Sequence, residues 1–460
     1  MEQQERSKLL GTMEMRKLVV KISIPIMISM LVQALYNVVD GIFVARYSAE
    51  ALTAVSLAYP IQMLMIAAST GLGVGINSLI SRKLGAKRAE EARTAAKNGI
   101  FLELCAFALF FVFGLLAAKP FFRLFTPDPQ LQELGGQYLS IVCTFSFGLF
   151  LSICFERMMQ STGNTVLSMV TQLTGAITNI ILDPILIFGL FGLPAMGVAG
   201  AAIATVIGQI GGMCLGIVLN QRRNVEMRVH WKGFRPDGKT LRAILSVGFP
   251  SIIMQSIGSV MNVAMNLILM GFGAAAVSVL GVYFKLQSFI FMPVFGLSNG
   301  MVAIVAYNYG ARLRSRINEA VRVSLKLALM IMSVGMLAFL LIPQALLALF
   351  ESNGASDLTA IGVVALRTIS THFLLAAIGI TLSTVFQAVG KGTYSLIMSL
   401  SRQLIVLVPA AWVLSKLGGL NAVWWAFLIA ETVSLTICLV LYRRVDRQLL
   451  APLDAEEPVR

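Results

Sequence analysis

The sequence predicts an all-α polytopic membrane protein with twelve transmembrane helices in two six-helix bundles, related by a parallel internal repeat. Three observations carry that prediction. The 460 residues are 57% hydrophobic and 13% charged, with a mean hydropathy of +0.82, a composition suited to lipid rather than water. Cutting the chain at its polar and charged breaks leaves twelve apolar segments, each near the roughly 20 residues a helix needs to cross a bilayer. Sliding the chain along itself until Pro25 meets Pro250 then lays its second half on its first.

In order, the segments cover 19–44, 53–80, 99–118, 137–158, 166–190, 195–219, 244–270, 277–306, 321–349, 360–388, 394–415 and 421–442. The breaks after the second, sixth and eighth are rich in base: Arg82 to Lys97, Arg222 to Arg242, and Arg312 to Lys326. Those after the first, fifth, seventh and eleventh hold almost none. Lys and Arg are retained in cytoplasmic loops, so even-numbered breaks and both termini are expected in the cytoplasm. The net charge of +14 therefore follows topology and gives no reason to expect a nucleic-acid partner. The N-terminal MEQQERSKLLGTMEMRKL carries both signs of charge and no A-x-A cleavage site, so it does not read as a removable signal peptide. Cys105, Cys143, Cys154, Cys214 and Cys438 all lie in apolar segments without C-x-x-C spacing and read as small packing residues.

At that same shift Asn37 meets Asn262, Gln62 meets Gln287, Gly71 meets Gly296, Gly75 meets Gly300, and Gly85-Ala86 meets Gly310-Ala311. A slightly longer shift lays Gln160 to Gly163 on Gln387 to Gly390. The expected organisation is an N-terminal bundle over 1–220, a basic connector over 221–243, a C-terminal bundle over 244–443 and a tail over 444–460. An even number of helices per half starts both halves on the same side of the membrane, and such repeats place a transport path between them. The paired glycines suit close helix contact.

Within this apolar chain, Asp40 and Asp183 stand inside the runs LVQALYNVVDGIFV and TNIILDPILIFGL. A carboxylate in a membrane helix is expensive and marks an ion or substrate path. Gln33, Tyr36, Asn37 and Asp40 follow i, i+3, i+4, i+7 spacing on one face of the first helix. Gln172, Asn179 and Asp183 make a similar stripe on the fifth. Asp40 lies 19 residues beyond Lys21 and Asp183 19 beyond Asn164, about 28 Å along a helix from the cytoplasmic end, so both are expected toward the outer leaflet. Under the repeat Asp40 faces Met265 and Asp183 faces Ala410, which makes the acidic pair a property of the first half alone. Pro184 removes a helical hydrogen bond and frees the Ile180 carbonyl. With Asn179 it completes an all-oxygen cluster of the kind hard cations prefer. Such a pair can hold a proton and release it to water, or exchange it for Na+.

These residues resemble those of the multidrug and toxic compound extrusion (MATE) transporters. The resemblance rests on Pro25 followed by L-Y-N-x-x-D ending at Asp40, A-V-S-L-A-x-P from Ala54 to Pro60, S-R-x-L-G-A from Ser81 to Ala86, Gln160 to Asn164, and N-x-x-x-D-P from Asn179 to Pro184. It implies a cation-coupled antiporter that exports amphipathic, often cationic, organic compounds through a cleft between the bundles by alternating access. It also implies a coupling-ion site at Asp40, Asn179 and Asp183 for H+ or Na+, without other cofactor. Tyr36 and Asn37 match cavity-lining positions, and Gln33, Gln172 and Thr205, the single hydroxyl of the sixth helix, join them as expected substrate contacts. Small organic molecules and the lipid bilayer are the expected partners. A monomer in the bacterial cytoplasmic membrane is the expected setting.

Other residues in the spans carry less specific signals. Lys285 and Glu431 are deep enough to line a cleft or to be paired; Glu103, Glu156, Arg367 and Arg402 lie nearer segment ends and read as structural or interfacial. His372 reads as a satisfied helix residue, and the 23 methionines mainly as core or lipid-facing filling. A flippase for lipid-linked saccharides is the nearest alternative and requires a large cationic cavity. No H-E-x-x-H, G-x-S-x-G or P-loop pattern appears, which leaves no motif for hydrolysis or direct ATP drive.

Overall fold

The computed structural model describes residues 7–230, 233–350 and 356–455; positions 1–6 and 351–355, 231–232 of the expected connector and 456–460 of the expected tail lie outside them. Ten helices are long and apolar enough to cross a membrane, and two bent helix pairs bring the spans to twelve. They are α1 (Met15–Tyr47), α2 (Ala49–Gly85), α3 (Ala89–Leu116), α4 (Pro129–Thr144 with Phe147–Ser161), α5 (Thr165–Phe188) and α6 (Gly197–Arg223). The second half follows as α7 (Gly238–Met270), α8 (Ala274–Gly310), α9 (Arg314–Leu341), α10 (Leu358–Ser370 with Phe373–Ala388), α11 (Gly392–Leu417) and α12 (Gly419–Ala455). No strand occurs among the described residues.

The fourth and tenth segments read as continuous in the sequence, but the structure bends them by 44° and 47°. Local hydroxyl chemistry accounts for both breaks. Ser146 Oγ donates to the Cys143 carbonyl at 2.8 Å, and Thr371 Oγ1 to the Thr368 carbonyl at 2.6 Å. Such bonds offer the backbone an alternative to the helical ladder, a competition that hydropathy does not register.

The internal repeat extends to element ends and backbone turns. Helices α2 and α8 begin at the repeat-related Ala49 and Ala274 and end at Gly85 and Gly310. Helices α3 and α9 likewise begin at Ala89 and Arg314 and end at Leu116 and Leu341. Lys87 and Arg312, related by the same shift, both take left-handed φ values, of 58° and 62°, just beyond α2 and α8.

Within each half the spans pack on their own neighbours, α1 on α5, α5 on α6, and α8 on α9. Between halves, α1 packs on α8 and α2 on α7 and α8. Glycines permit these crossings. A β-carbon at Gly71 would lie 2.7 Å from the Ile252 amide nitrogen, and one at Gly296 would lie 2.7 Å from Met27 Cα. Ile252 and Met27 are themselves repeat counterparts, so the two contacts are images of each other. Gly85 meets the Tyr307 carbonyl while Gly310 meets that of Arg82, closing the halves together on the base-rich side. Ser78 Oγ reinforces that closure by donating across to the Gln387 carbonyl at 2.7 Å.

The N-terminal segment also crosses between halves. Arg316 donates to the Met13 carbonyl at 2.7 Å and Asn308 to the Leu10 carbonyl at 2.9 Å, fixing the start of α1 beneath α8 and α9.

Candidate functional site

Helices α1, α5 and α6 bring the two aspartates into one cluster. Gly208 of α6 packs so tightly on α5 that a β-carbon there would lie 2.7 Å from the Gly175 carbonyl. That approach carries Thr205 to Asn179. Asn179 Nδ2 donates to Thr205 Oγ1 at 3.3 Å and to Asp183 Oδ1 at 3.3 Å. Toward the start of both helices from there, Gln172 Nε2 donates to Gln33 Oε1 at 2.6 Å, tying the polar stripe of α5 to that of α1.

Asp183 is fully buried, Asn179 is buried and Asp40 is partly buried. Asp40 and Asp183 are near enough for each carboxyl to act on the other. Asp40 Oδ1, Asp183 Oδ2 and Asn179 Oδ1 are nevertheless all buried without a hydrogen-bond partner. Ionised carboxylates only accept, so oxygens gathered in this way suit a shared proton or a small cation.

Tyr36 is close enough for both aspartates to act on its phenol, whereas Asn37, on the same stretch of α1, is exposed. The structure adds two residues that the spacing argument did not single out as site candidates. Tyr138 of α4 is buried within the field of both aspartates, and its hydroxyl accepts from Gln62 Nε2 of α2 at 2.8 Å. The available signal was a polar-tipped aromatic and a glutamine in otherwise apolar spans, with Gln62 repeated as Gln287.

The structure also places the other charged residues of the spans. Glu103 and Glu156, expected as structural or interfacial, are both buried, with Arg157 as a charged neighbour. Arg402 likewise turns inward and faces Glu431 of α12 at 3.7 Å. Lys285 is exposed and stands over the Phe350 ring at 5.8 Å. His372 is buried with Nδ1 2.6 Å from the Ile369 carbonyl. The five cysteines are all free.

Comparison with known proteins agrees with this architecture. The MatE family model matches twice, over residues 25–185 and 250–413, and its two starts are the repeat-related prolines. The multidrug export protein MepA of Staphylococcus saprophyticus is 27% identical over 92% of this chain and 93% of its own. A crystal structure of MATE in complex with MaL6 superposes with a TM-score of 0.91 at 28% identity, covering 98% of this chain and 99% of the other. A MOP superfamily transporter from Pyrococcus furiosus, described as having a binding pocket whose reverse polarity suggests a different function, matches with a TM-score of 0.90 at 28% identity over 97% and 98% of the two chains.

Proposed function

Since the chain belongs to the MatE family of membrane transporters, we propose that it is a secondary active multidrug efflux transporter. It exports amphipathic, often cationic, organic compounds in exchange for H+ or Na+ by alternating access. The observation that carries this reading is the buried trio of unpartnered oxygens on Asp40, Asp183 and Asn179. Fold alone does not determine what is carried, and a protein of the same fold is described as having a pocket of reverse polarity. Here the polarity of the N-terminal site is acidic.

In the proposed cycle, a proton or Na+ entering between Asp40 and Asp183 relieves the opposition of their oxygens and draws α1 toward α5. That repacking weakens a cationic substrate held near Tyr36, Gln33 and Gln172, and release follows. A ligand shifts such an equilibrium only by its differential affinity for the two states. Occupancy by an inward-moving cation supplies that difference, helped by roughly 2.3 kcal/mol per charge per 100 mV. The reading places both termini and the base-rich turns in the cytoplasm, and the protein as a monomer in a bacterial cytoplasmic membrane.

Reconstitution in vesicles tests the proposal, with proton and sodium gradients imposed separately and efflux of a cationic dye followed. Wild type exports dye under at least one gradient, while Asp40→Asn and Asp183→Asn each lose the gradient dependence. Undiminished coupled efflux in both variants would remove the site from the mechanism.

A further inference from the structure

The C-terminal half contains a cavity of about 260 Å3 that the acidic cluster does not use. Its walls are aromatic, formed by Phe284, Phe291 and Phe295 of α8 and Phe427 of α12. Arg402, Glu431 and His372 supply its ionisable surface, beside the neutral Gln287, Ser288 and Gln403. Met261 and Gln287, which also line it, are the repeat counterparts of Tyr36 and Gln62. The cavity is thus the repeat counterpart of the N-terminal site, with different chemistry.

The polar groups here are poorly satisfied. Arg402 and Glu431 are 3.7 Å apart, beyond hydrogen-bonding distance. Glu431 is 3% exposed and its Oε1 has no hydrogen-bond partner. Arg402 has five N–H donors to place. Because a carbonyl only accepts, the bond to Ile369 puts the His372 proton on Nδ1 and leaves Nε2 as an acceptor in the neutral ring. The cavity therefore offers acceptors at Glu431 and His372 and, beside Glu431, the Arg402 guanidinium, while the ion pair is neutral overall.

We propose that this cavity is a second substrate site, selective for small aromatic zwitterions that carry an ammonium group and a carboxylate. The ammonium lies against Glu431 Oε1 and His372 Nε2, the carboxylate against the Arg402 guanidinium, and the ring among the phenylalanines. A zwitterion converts one loose ion pair into two close ones and adds no net charge to a low-dielectric site. A lone cation or anion leaves an unbalanced charge there, which is costly. The volume is below the ~300–1,000 Å3 typical of drug-sized sites, so the occupant has one or two fused rings. The N-terminal cluster, acidic and without a base, has no comparable place for a carboxylate.

The proposal rests on the reading of the chain as an organic-solute exporter, and its test keeps the two apart. The full-length protein in nanodiscs is titrated with tritiated L-tryptophan, with tryptamine and indole-3-propionate as single-charge competitors, while vesicles report export of a cationic dye. Tryptophan binds saturably, and each competitor displaces it at least tenfold more weakly than unlabelled tryptophan does. The double variant Arg402→Met with Glu431→Gln lowers tryptophan affinity at least tenfold. It keeps the wild-type melting temperature and dye export, because removing both charges strands neither. Equal competition by all three indoles, no saturable binding to a dye-exporting protein, or unchanged affinity in a folded double variant would each overturn the proposal. Loss of dye export by wild type with saturable tryptophan binding retained would overturn the exporter reading and leave this site standing.

Discussion

Valine in place of Gly85 and Gly310 is the sharpest perturbation of the contact between the halves. The two glycines end α2 and α8, and each has the other helix's backbone carbonyl, of Tyr307 or Arg82, where a β-carbon would be. Backbone cannot rotate away as a side-chain tip can, so the helices must separate. Overpacking costs ~1–3 kcal/mol per site, hence roughly 2–6 kcal/mol for the symmetric pair, and it falls only on the conformation in which the halves meet at this end. At about 1.4 kcal/mol per factor of ten, the closed arrangement loses roughly 30-fold to 20,000-fold in population. Spin labels on Lys87→Cys and Arg312→Cys, placed just beyond these ends in a background without the native cysteines, report the separation by electron–electron resonance. The valine pair moves the distance distribution outward and reduces gradient-driven dye efflux at least tenfold. Gly85→Ala with Gly310→Ala gives a smaller shift in the same direction. A wild-type distribution with efflux within twofold of wild type would refute the view that these glycines seal the base-rich end.

Three further outcomes follow from individual contacts. Asp183→Asn supplies an amide donor to the unpartnered Asp40 Oδ1, so thermal unfolding in detergent shows stability held or raised by ~0.5–1.5 kcal/mol even as coupling is lost; a clear fall in melting temperature would contradict the acceptor-against-acceptor reading. Tyr138→Phe removes the acceptor of Gln62 Nε2 and costs about 1–3 kcal/mol if that donor is left dry. Its effect is measured as a lower melting temperature and a raised half-saturating dye concentration, and wild-type values for both would remove Tyr138 from the site. Arg316→Ala frees the Met13 carbonyl and leaves that of Leu10 to Asn308, so trypsin cleaves after Lys8 or Arg16 faster than in wild type, whereas unchanged cleavage would show that Asn308 alone holds the segment.

The parts legible in the sequence are those governed by local pattern. Hydropathy identified where the spans lie because a membrane helix is an uninterrupted apolar run. Matching the chain to itself found the repeat, and i, i+3, i+4, i+7 spacing collected Gln33, Tyr36, Asn37 and Asp40 on one stretch of α1. It could not say that Asn37 is exposed while Tyr36 approaches the aspartates. Thr205 was expected only by resemblance, and the hydrogen bond that ties it to Asn179 depends on how closely α6 approaches α5 at Gly208 and Gly175. Arg402 and Glu431 each looked isolated in sequence, and their pairing requires α11 and α12 to face each other.

By itself the sequence determined an all-helical membrane chain, its duplication, and the presence of two costly carboxylates in the first half only. The tertiary structure decided which helix faces meet: α1 and α5 around the acidic cluster, α11 and α12 around the mixed-charge cavity, and the glycine crossings that join the halves. The reason lies in the solvent. Lipid tails are as apolar as leucine, so hydropathy separates helix from loop but does not choose a helix's neighbours. That choice falls to close packing of small residues and to buried polar groups, which acquire partners only when distant segments come together.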